Sequence, residues 1–246
     1  MLHEKITVRI NDKDCTTHVL TPTGSEGGPA ILFYFDAGGI RPVFLDMAQR
    51  LANAGYVVLV PDLFYRYGPY GPFVPAEVFA GDAAATLGPL MATTGNAVAA
   101  KDTEAVLSYL DTRTDVRGEK IGSVGFCLGG GMAIAAAGTY PNRMAAAASF
   151  HGGGLATDAP DSPHLYARTL NAELYIAAAT DDAFYPSGMA DRFKDALDTA
   201  GVTYRHETYQ AAHGWMKPDF PSYNEAAAER GWGEMIPFLD RLLKDR

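Results

Sequence analysis

The sequence predicts an α/β fold, a mostly parallel central sheet flanked by helices, and three observations carry that expectation. Short apolar runs alternate with longer segments of helical periodicity, which is the pattern of βαβ units. The chain has 246 residues, enough for one large α/β domain, and contains no internal repeat or low-complexity linker. Its most informative stretch, Gly125-Phe126-Cys127-Leu128-Gly129-Gly130, lies where a β-like run gives way to a small-residue helical run. Residues 1–246 are therefore expected to form a single domain.

Taken in order, residues 6–10 and 16–20 read as a β-hairpin around Asn11-Asp12-Lys13-Asp14. Residues 30–35 are an apolar strand leading into Asp36-Ala37-Gly38-Gly39. Over 43–54, Phe44, Met47, Ala48 and Leu51 recur at helical spacing, and Gly55 stops the helix. A strand at 56–60 ends at Pro61. From 62 to 94 the periodicity loosens and Pro, Gly and aromatics accumulate, which suggests an excursion over the mouth of a site. A helix at 96–110 follows, then a strand at 121–126 and a helix at 129–138. Strands at 144–150, 174–179 and 204–209 are interleaved with helices at 187–200 and 224–243.

Composition narrows the function classes. The apolar fraction of 48% and charged fraction of 20% are those of an ordinary globular protein. A formal net charge of −9, with no Lys/Arg cluster, argues against a nucleic-acid surface and against anionic membranes. Charges in the first ten residues interrupt any signal-peptide pattern, and no apolar run reaches membrane-spanning length. With two cysteines, one of them in the Gly-rich corner, a Cys15–Cys127 disulfide is not expected. A reduced thiol in the cytoplasm is the expected setting. Scattered histidines give no metal site, and the G-x-G-x-x-G spacing of a dinucleotide loop is absent, so no cofactor is expected.

The corner fits G-x-S-x-G, a nucleophile elbow, with cysteine in the serine's place. The turn is so tight that side chains two before and two after the nucleophile would clash, hence glycine. It sets the thiol over the first amides of the next helix, whose dipole favours thiolate. A thiol nucleophile needs a base, and the base an orienting acid, expected in that order on loops after later strands. His213, in Ala-Ala-His-Gly-Trp after the last strand, stands where the base belongs. His206 lies inside a strand pattern and His164 in a Pro-flanked loop. His151 ends a strand but comes too early, and either lines a pocket or shapes a turn. Asp181 and Asp182, after the strand at 174–179, are both candidates for the acid.

Together these residues resemble the dienelactone hydrolase family, α/β-hydrolases with a Cys-Asp-His triad. The resemblance spans residues 34–62, 120–150, 174–186 and 209–215. It implies an α/β-hydrolase fold, with the elbow at Gly125, Cys127, Gly129 and Gly130, and the base at His213. It favours Asp182 as the acid, since Phe184 and Pro186 follow at the family's spacing. It implies a thiol-modulating role for Asp36, where the family carries a longer glutamate. The alternative for Asp36 is a turn-forming aspartate before Ala37-Gly38-Gly39. The family's carboxylate-clamping arginines are missing from the excursion at 77–91, and Lys217 stands four residues after the base, keeping the charge but not the bidentate fork. Arg66 is a second candidate cation.

The implied reaction is acyl transfer on a small ester or lactone. Cys127 attacks the carbonyl, the amides of Leu128 and Ala37 hold the oxyanion, and His213, oriented by Asp182, moves the protons. Tyr65, Trp215 and His151 are expected to line the substrate pocket with Lys217 and Arg66. Aromatics of the excursion, among them Phe64, Tyr67, Tyr70, Phe73 and Phe79, would add a flat apolar wall. The expected partner is the small-molecule substrate alone, in a monomer or homodimer. Two rivals remain: a catalytically silent hydrolase fold that binds a small molecule, and a redox role for Cys127, which lacks a nearby resolving cysteine.

Overall fold

The computed structural model describes residues 2–22, 24 and 27–244. The chain opens with an antiparallel hairpin, β1 (Leu2–Ile10) and β2 (Lys13–Thr21), whose turn places Asn11 at φ 52°. Asparagine tolerates that left-handed conformation better than most residues. The remaining strands are β3 (Ala30–Tyr34), β4 (Val57–Pro61), β5 (Ile121–Phe126), β6 (Met144–Phe150), β7 (Glu173–Asp181) and β8 (Tyr204–Ala212). They form one eight-stranded sheet in the order β1-β2-β4-β3-β5-β6-β7-β8, parallel from β4 to β8. Strands β3, β4, β5 and β6 are buried along their whole length, as strands covered by helices on both faces must be.

The helices are α1 (Pro42–Asn53), α2 (Pro75–Ala80), α3 (Ala83–Met91), α4 (Asn96–Leu110), α5 (Leu128–Thr139), α6 (Ser187–Ala200) and α7 (Glu225–Leu243). Helix α5 is buried from Gly129 to Gly138 and consists almost entirely of Gly and Ala there. Those small side chains let it lie against β5, β6 and α4 at once. The loosely patterned excursion contains the two short helices α2 and α3. A 3-10 helix at Pro163–Thr169 occupies a stretch read from sequence only as loop.

Strand register brings distant segments level. Tyr34 pairs with Gly125, Gly125 with Ser149, and Ser149 with Ile176. Two residues further along three neighbouring strands stand Asp36, Cys127 and His151, side by side at the C-terminal edge of the sheet. Strands β7 and β8 run two and three residues beyond their apolar patterns. Past a register shift, Asp181 pairs with Ala212, and Thr180 Oγ donates to the Tyr209 carbonyl at 2.7 Å. Hydrophobic periodicity cannot reveal that extension, because backbone hydrogen bonds hold it together.

Candidate active site

At the β5–α5 corner Cys127 takes φ 54° and ψ −116°, a strained conformation for a residue with a side chain. The flanking glycines are obligatory here. A Cβ on Gly125 would lie 1.9 Å from the Gly129 carbonyl oxygen, and one on Gly129 would lie 2.2 Å from that of Tyr34. The Cys127 amide donates to the Phe150 carbonyl at 3.1 Å, which ties the corner to β6. Among the described residues no protein acceptor takes the Leu128 or Ala37 amide, so both expected oxyanion donors are free to bind one.

The β7–β8 pairing sets the other two groups next to each other. Because Asp181 and Ala212 are partners, the residues that follow them, Asp182 and His213, emerge together, and the His213 amide donates to the Asp181 carbonyl at 3.0 Å. Asp182 Oδ2 lies 2.8 Å from His213 Nδ1, while its Oδ1 accepts from the Phe184 amide at 2.9 Å. Asp182 is buried and Asp181 is exposed, so Asp182 is the carboxylate that holds the ring.

His213 Nε2 is buried and makes no well-formed hydrogen bond. The group with which it interacts is the Cys127 thiol. Burial opposes ionisation of that thiol, but the neighbouring His213 ring and its charge, helped by Lys217, outweigh it and hold the Cys127 pKa below that of an ordinary cysteine. For His213 burial again works against the charge. Its hydrogen bond to Asp182 and its interaction with the Cys127 thiol prevail and hold its pKa up at about 9. Both shifts favour a thiolate–imidazolium pair. The second cysteine behaves oppositely: Cys15 is buried on β2, and desolvation pushes its pKa up to about 12.

Asp36, expected to modulate the thiol, has both carboxylate oxygens bound by cations and a backbone amide. Its Oδ1 accepts from Arg41 Nη1 at 2.7 Å and from the Gly38 amide at 2.8 Å, and its Oδ2 accepts from Arg41 Nη2 at 3.0 Å and from Lys217 Nζ. Burial alone would raise its pKa, but Lys217 and Arg41 hold the carboxyl far below the usual range. Arg41 also donates through Nε to Asp219 at 2.5 Å. The negative charge of Asp36 still reaches the thiol through space, and opposes the thiolate. Sequence reasoning missed Arg41 and Asp219. The signal was available, since a carboxylate following a buried apolar strand must find a cation.

Of the expected substrate-binding residues, two lie near the triad, two elsewhere, and one in the core. Lys217 is close, but it is 1% exposed, bound to Asp36, and set 3.7 Å over the Phe220 ring. His151, fully buried at φ 39°, lies with its ring centre 5.2 Å from that of His213, and neither of its ring nitrogens has a partner. Desolvation, then Lys217 and His213, hold its pKa well below the ordinary histidine value. Arg66 makes a bidentate pair with Asp102 of α4 at 2.6 Å and sits over the Tyr65 ring, which lines a small cavity with Cys15 and Asp102. They do not join the site, because Asp102 supplies the counter-charge Arg66 needs. Trp215 is fully buried, stacked on Tyr209 at 4.4 Å and edge-on to Phe150, so it is core rather than pocket wall.

The expected aromatic wall is divided. Phe64, Tyr70 and Phe73 pack on one another. Phe79 of α2 reaches across to Phe220 at 5.0 Å, joining the excursion to the loop after His213. Phe184, not assigned a binding role from sequence, stands 62% exposed with its ring 4.9 Å from that of His213. Among the described residues no group of three or more His, Cys, Asp or Glu side chains is placed to hold a metal ion. Nor is any helix there long and apolar enough to cross a membrane.

Comparison with known proteins agrees with this geometry. The model of the dienelactone hydrolase family matches residues 15–243. A provisionally named carboxymethylenebutenolidase of Synechocystis sp. is 28% identical over 222 residues, covering 88% of this chain and 87% of that protein. The carboxymethylenebutenolidase of Rhodococcus opacus is 27% identical, covering 92% of this chain and 85% of that protein. Among solved structures, a provisionally named dienelactone hydrolase from Klebsiella pneumoniae subsp. pneumoniae superposes with a TM-score of 0.84 at 21% identity, covering 98% of each chain. At that identity the superposition speaks for the fold alone.

Proposed function

Since this chain belongs to the dienelactone hydrolase family, and is thereby a carboxylic ester hydrolase, we propose that it cleaves small esters or lactones through a cysteine-bound acyl-enzyme. The observation that carries the cysteine mechanism is geometric: Cys127 stands at φ 54° on the glycine-flanked corner, and Asp182 holds the His213 ring at 2.8 Å. The electrostatics agree in direction, since Cys127 and His213 each favour the other's charged form.

In the first half-reaction the Cys127 thiolate attacks the acyl carbon. The carbonyl electrons move onto oxygen, which the Leu128 and Ala37 amides receive. Such a donor contributes about 3–4 kcal/mol in related sites. The tetrahedral adduct collapses as the C–O bond breaks, and His213 Nε2 gives its proton to the departing alkoxide. In the second half-reaction neutral His213 takes a proton from water, and the hydroxide attacks the thioester. The acid leaves, the thiolate returns, and the imidazolium is restored. A thiolate of lowered pKa suits esters and lactones, whose alkoxides leave readily, better than amides. A free nucleophilic thiol also fits a reducing, cytoplasmic setting.

In this reading Asp36 is not the proton acceptor for the thiol, because Arg41, Lys217 and the Gly38 amide occupy both its oxygens. His213 takes that role. Pre-steady-state release of p-nitrophenol from a short-chain ester tests the mechanism. A burst stoichiometric with enzyme is expected from the native chain and none from Cys127→Ala. Equal product release by the two would remove Cys127 from the chemistry.

A further inference from the structure

We propose that the open cavity between α1, α7 and the loop after His213 is a second binding site, which takes a small organic ammonium ion and modulates the ester-cleaving site. The inference goes beyond the reading above, which concerns the thiol and its partners alone.

The cavity encloses about 430 Å³, within the range of small-molecule sites. One face of α1, carrying Val43, Asp46, Met47 and Arg50, looks across it to Ala228, Glu229 and Trp232 of α7. Its floor is apolar: Val43, Met47, Met216, Ala228 and Trp232 are all buried. The two methionines can adapt to the shape of a flat or branched guest.

Charge selects the occupant. Three carboxylates line the cavity, Asp46, Asp219 and Glu229, against one cation, Arg50. Arg50 pairs with both oxygens of Glu229 at 2.6 Å and lies over the Trp232 ring. Beneath the cavity Arg41 and Lys217 balance Asp36 and Asp219. Asp46 is left over, exposed and without an ion pair among the described residues. One uncompensated negative charge above an apolar floor suits a monocation with an apolar body. Tyr223, 36% exposed, adds an aromatic ring to the lining.

The loop joins this cavity to the chemistry. Met216, Pro218, Asp219 and Tyr223 line the cavity, whereas the residues between them serve the site. Lys217 bonds Asp36, Phe220 lies against Phe79, and Ser222 Oγ donates to the His213 carbonyl. The Phe220 amide donates to the Lys217 carbonyl at 3.0 Å and the Tyr223 amide to the Phe220 carbonyl at 2.9 Å, so the two turns move together. A cation drawn to Asp219 also competes with Arg41, which is bound to Asp36 beside the thiol. Occupancy of the cavity therefore reaches the site through backbone and through charge.

The probe is benzyltrimethylammonium, which carries no nucleophile to intercept an acyl-enzyme. Calorimetry at low ionic strength should give a Kd at least fivefold tighter than for benzyl alcohol, with the difference shrinking as salt is added. Asp46→Asn should weaken ammonium binding about threefold, as expected for one exposed charge. Saturating ammonium should change kcat/KM for p-nitrophenyl butyrate at least twofold, and Asp46→Asn should shift that response to higher concentration. Equal binding of the alcohol, or unchanged turnover at saturation, would overturn the inference. Competitive inhibition indifferent to Asp46→Asn would place the ion at the thiolate instead, and overturn it equally. Should no ester be turned over, the ester-cleaving reading falls, while calorimetry on Asp46→Asn still decides whether the cavity binds the ion.

Discussion

Asp36 and Lys217, 181 positions apart in the chain, form a buried ion pair beside Cys127, with Arg41 bound to the same carboxylate. Removing one partner of a buried pair strands the other, at a cost of about 3–5 kcal/mol. Asp36→Asn should therefore lower unfolding free energy by about that amount at pH 7. The folded-state pKa of Asp36 lies below its unfolded value near 4, so its contribution is complete above that pH and is lost as pH falls toward the folded value. Urea unfolding at pH 7 and pH 3 should show the gap between native chain and variant narrowing by about 1 kcal/mol. A gap independent of pH would place the stabilisation elsewhere.

Cys127 should alkylate as a thiolate at pH below the usual thiol pKa of about 8.5. Its rate with iodoacetamide should level off at lower pH than that of a free thiol, while Cys15, pushed up to about 12, stays unmodified. Ester turnover should also have an alkaline limb near pH 9, where His213 loses the proton needed by the leaving alkoxide. A thiol that titrates at 8.5 or above would contradict the ion pair.

Asp182→Asn keeps the shape of the loop but removes the charge that holds up the His213 pKa. Activity should fall on the order of 10²–10⁴-fold, with the alkaline limb shifted to lower pH. Asp181→Asn, altering an exposed side chain, should change kcat by less than about twofold. Similar losses in both variants would mean that the acid is wrongly assigned.

Gly125→Ala places a Cβ 1.9 Å from the Gly129 oxygen, where only backbone can move. A loss of about 2–3 kcal/mol or failure to fold is expected. Gly233→Ala, in α7 where an added Cβ meets nothing within 4 Å, should instead stabilise by up to about 1 kcal/mol. Thermal melts of the two variants should move in opposite directions.

Much of the scaffold was legible because its signals are local. The helices at 96–110 and 187–200 and the strands at 121–126 and 144–150 carry their own periodicity, and they have the expected bounds. The last residues of β7 and β8 were not legible, since the polar Asp181 pairs with Ala212 across a register shift and Thr180 bonds the Tyr209 carbonyl through its side chain. The two helices of the excursion were not legible either: α2 has only six residues between Pro75 at its start and Gly81 at its C-cap, and α3 carries Pro89 within it.

By itself the sequence determined the corner at Cys127, because the glycine spacing is a steric requirement of the turn. It also determined the chain order of thiol, carboxylate and imidazole. Only the tertiary structure decided which charges are free. Arg66 meets Asp102, and Lys217 meets Asp36, through contacts across 36 and 181 positions. A charge in a sequence reads as available for binding; whether another side chain has already neutralised it depends on packing between distant segments, which no local pattern encodes.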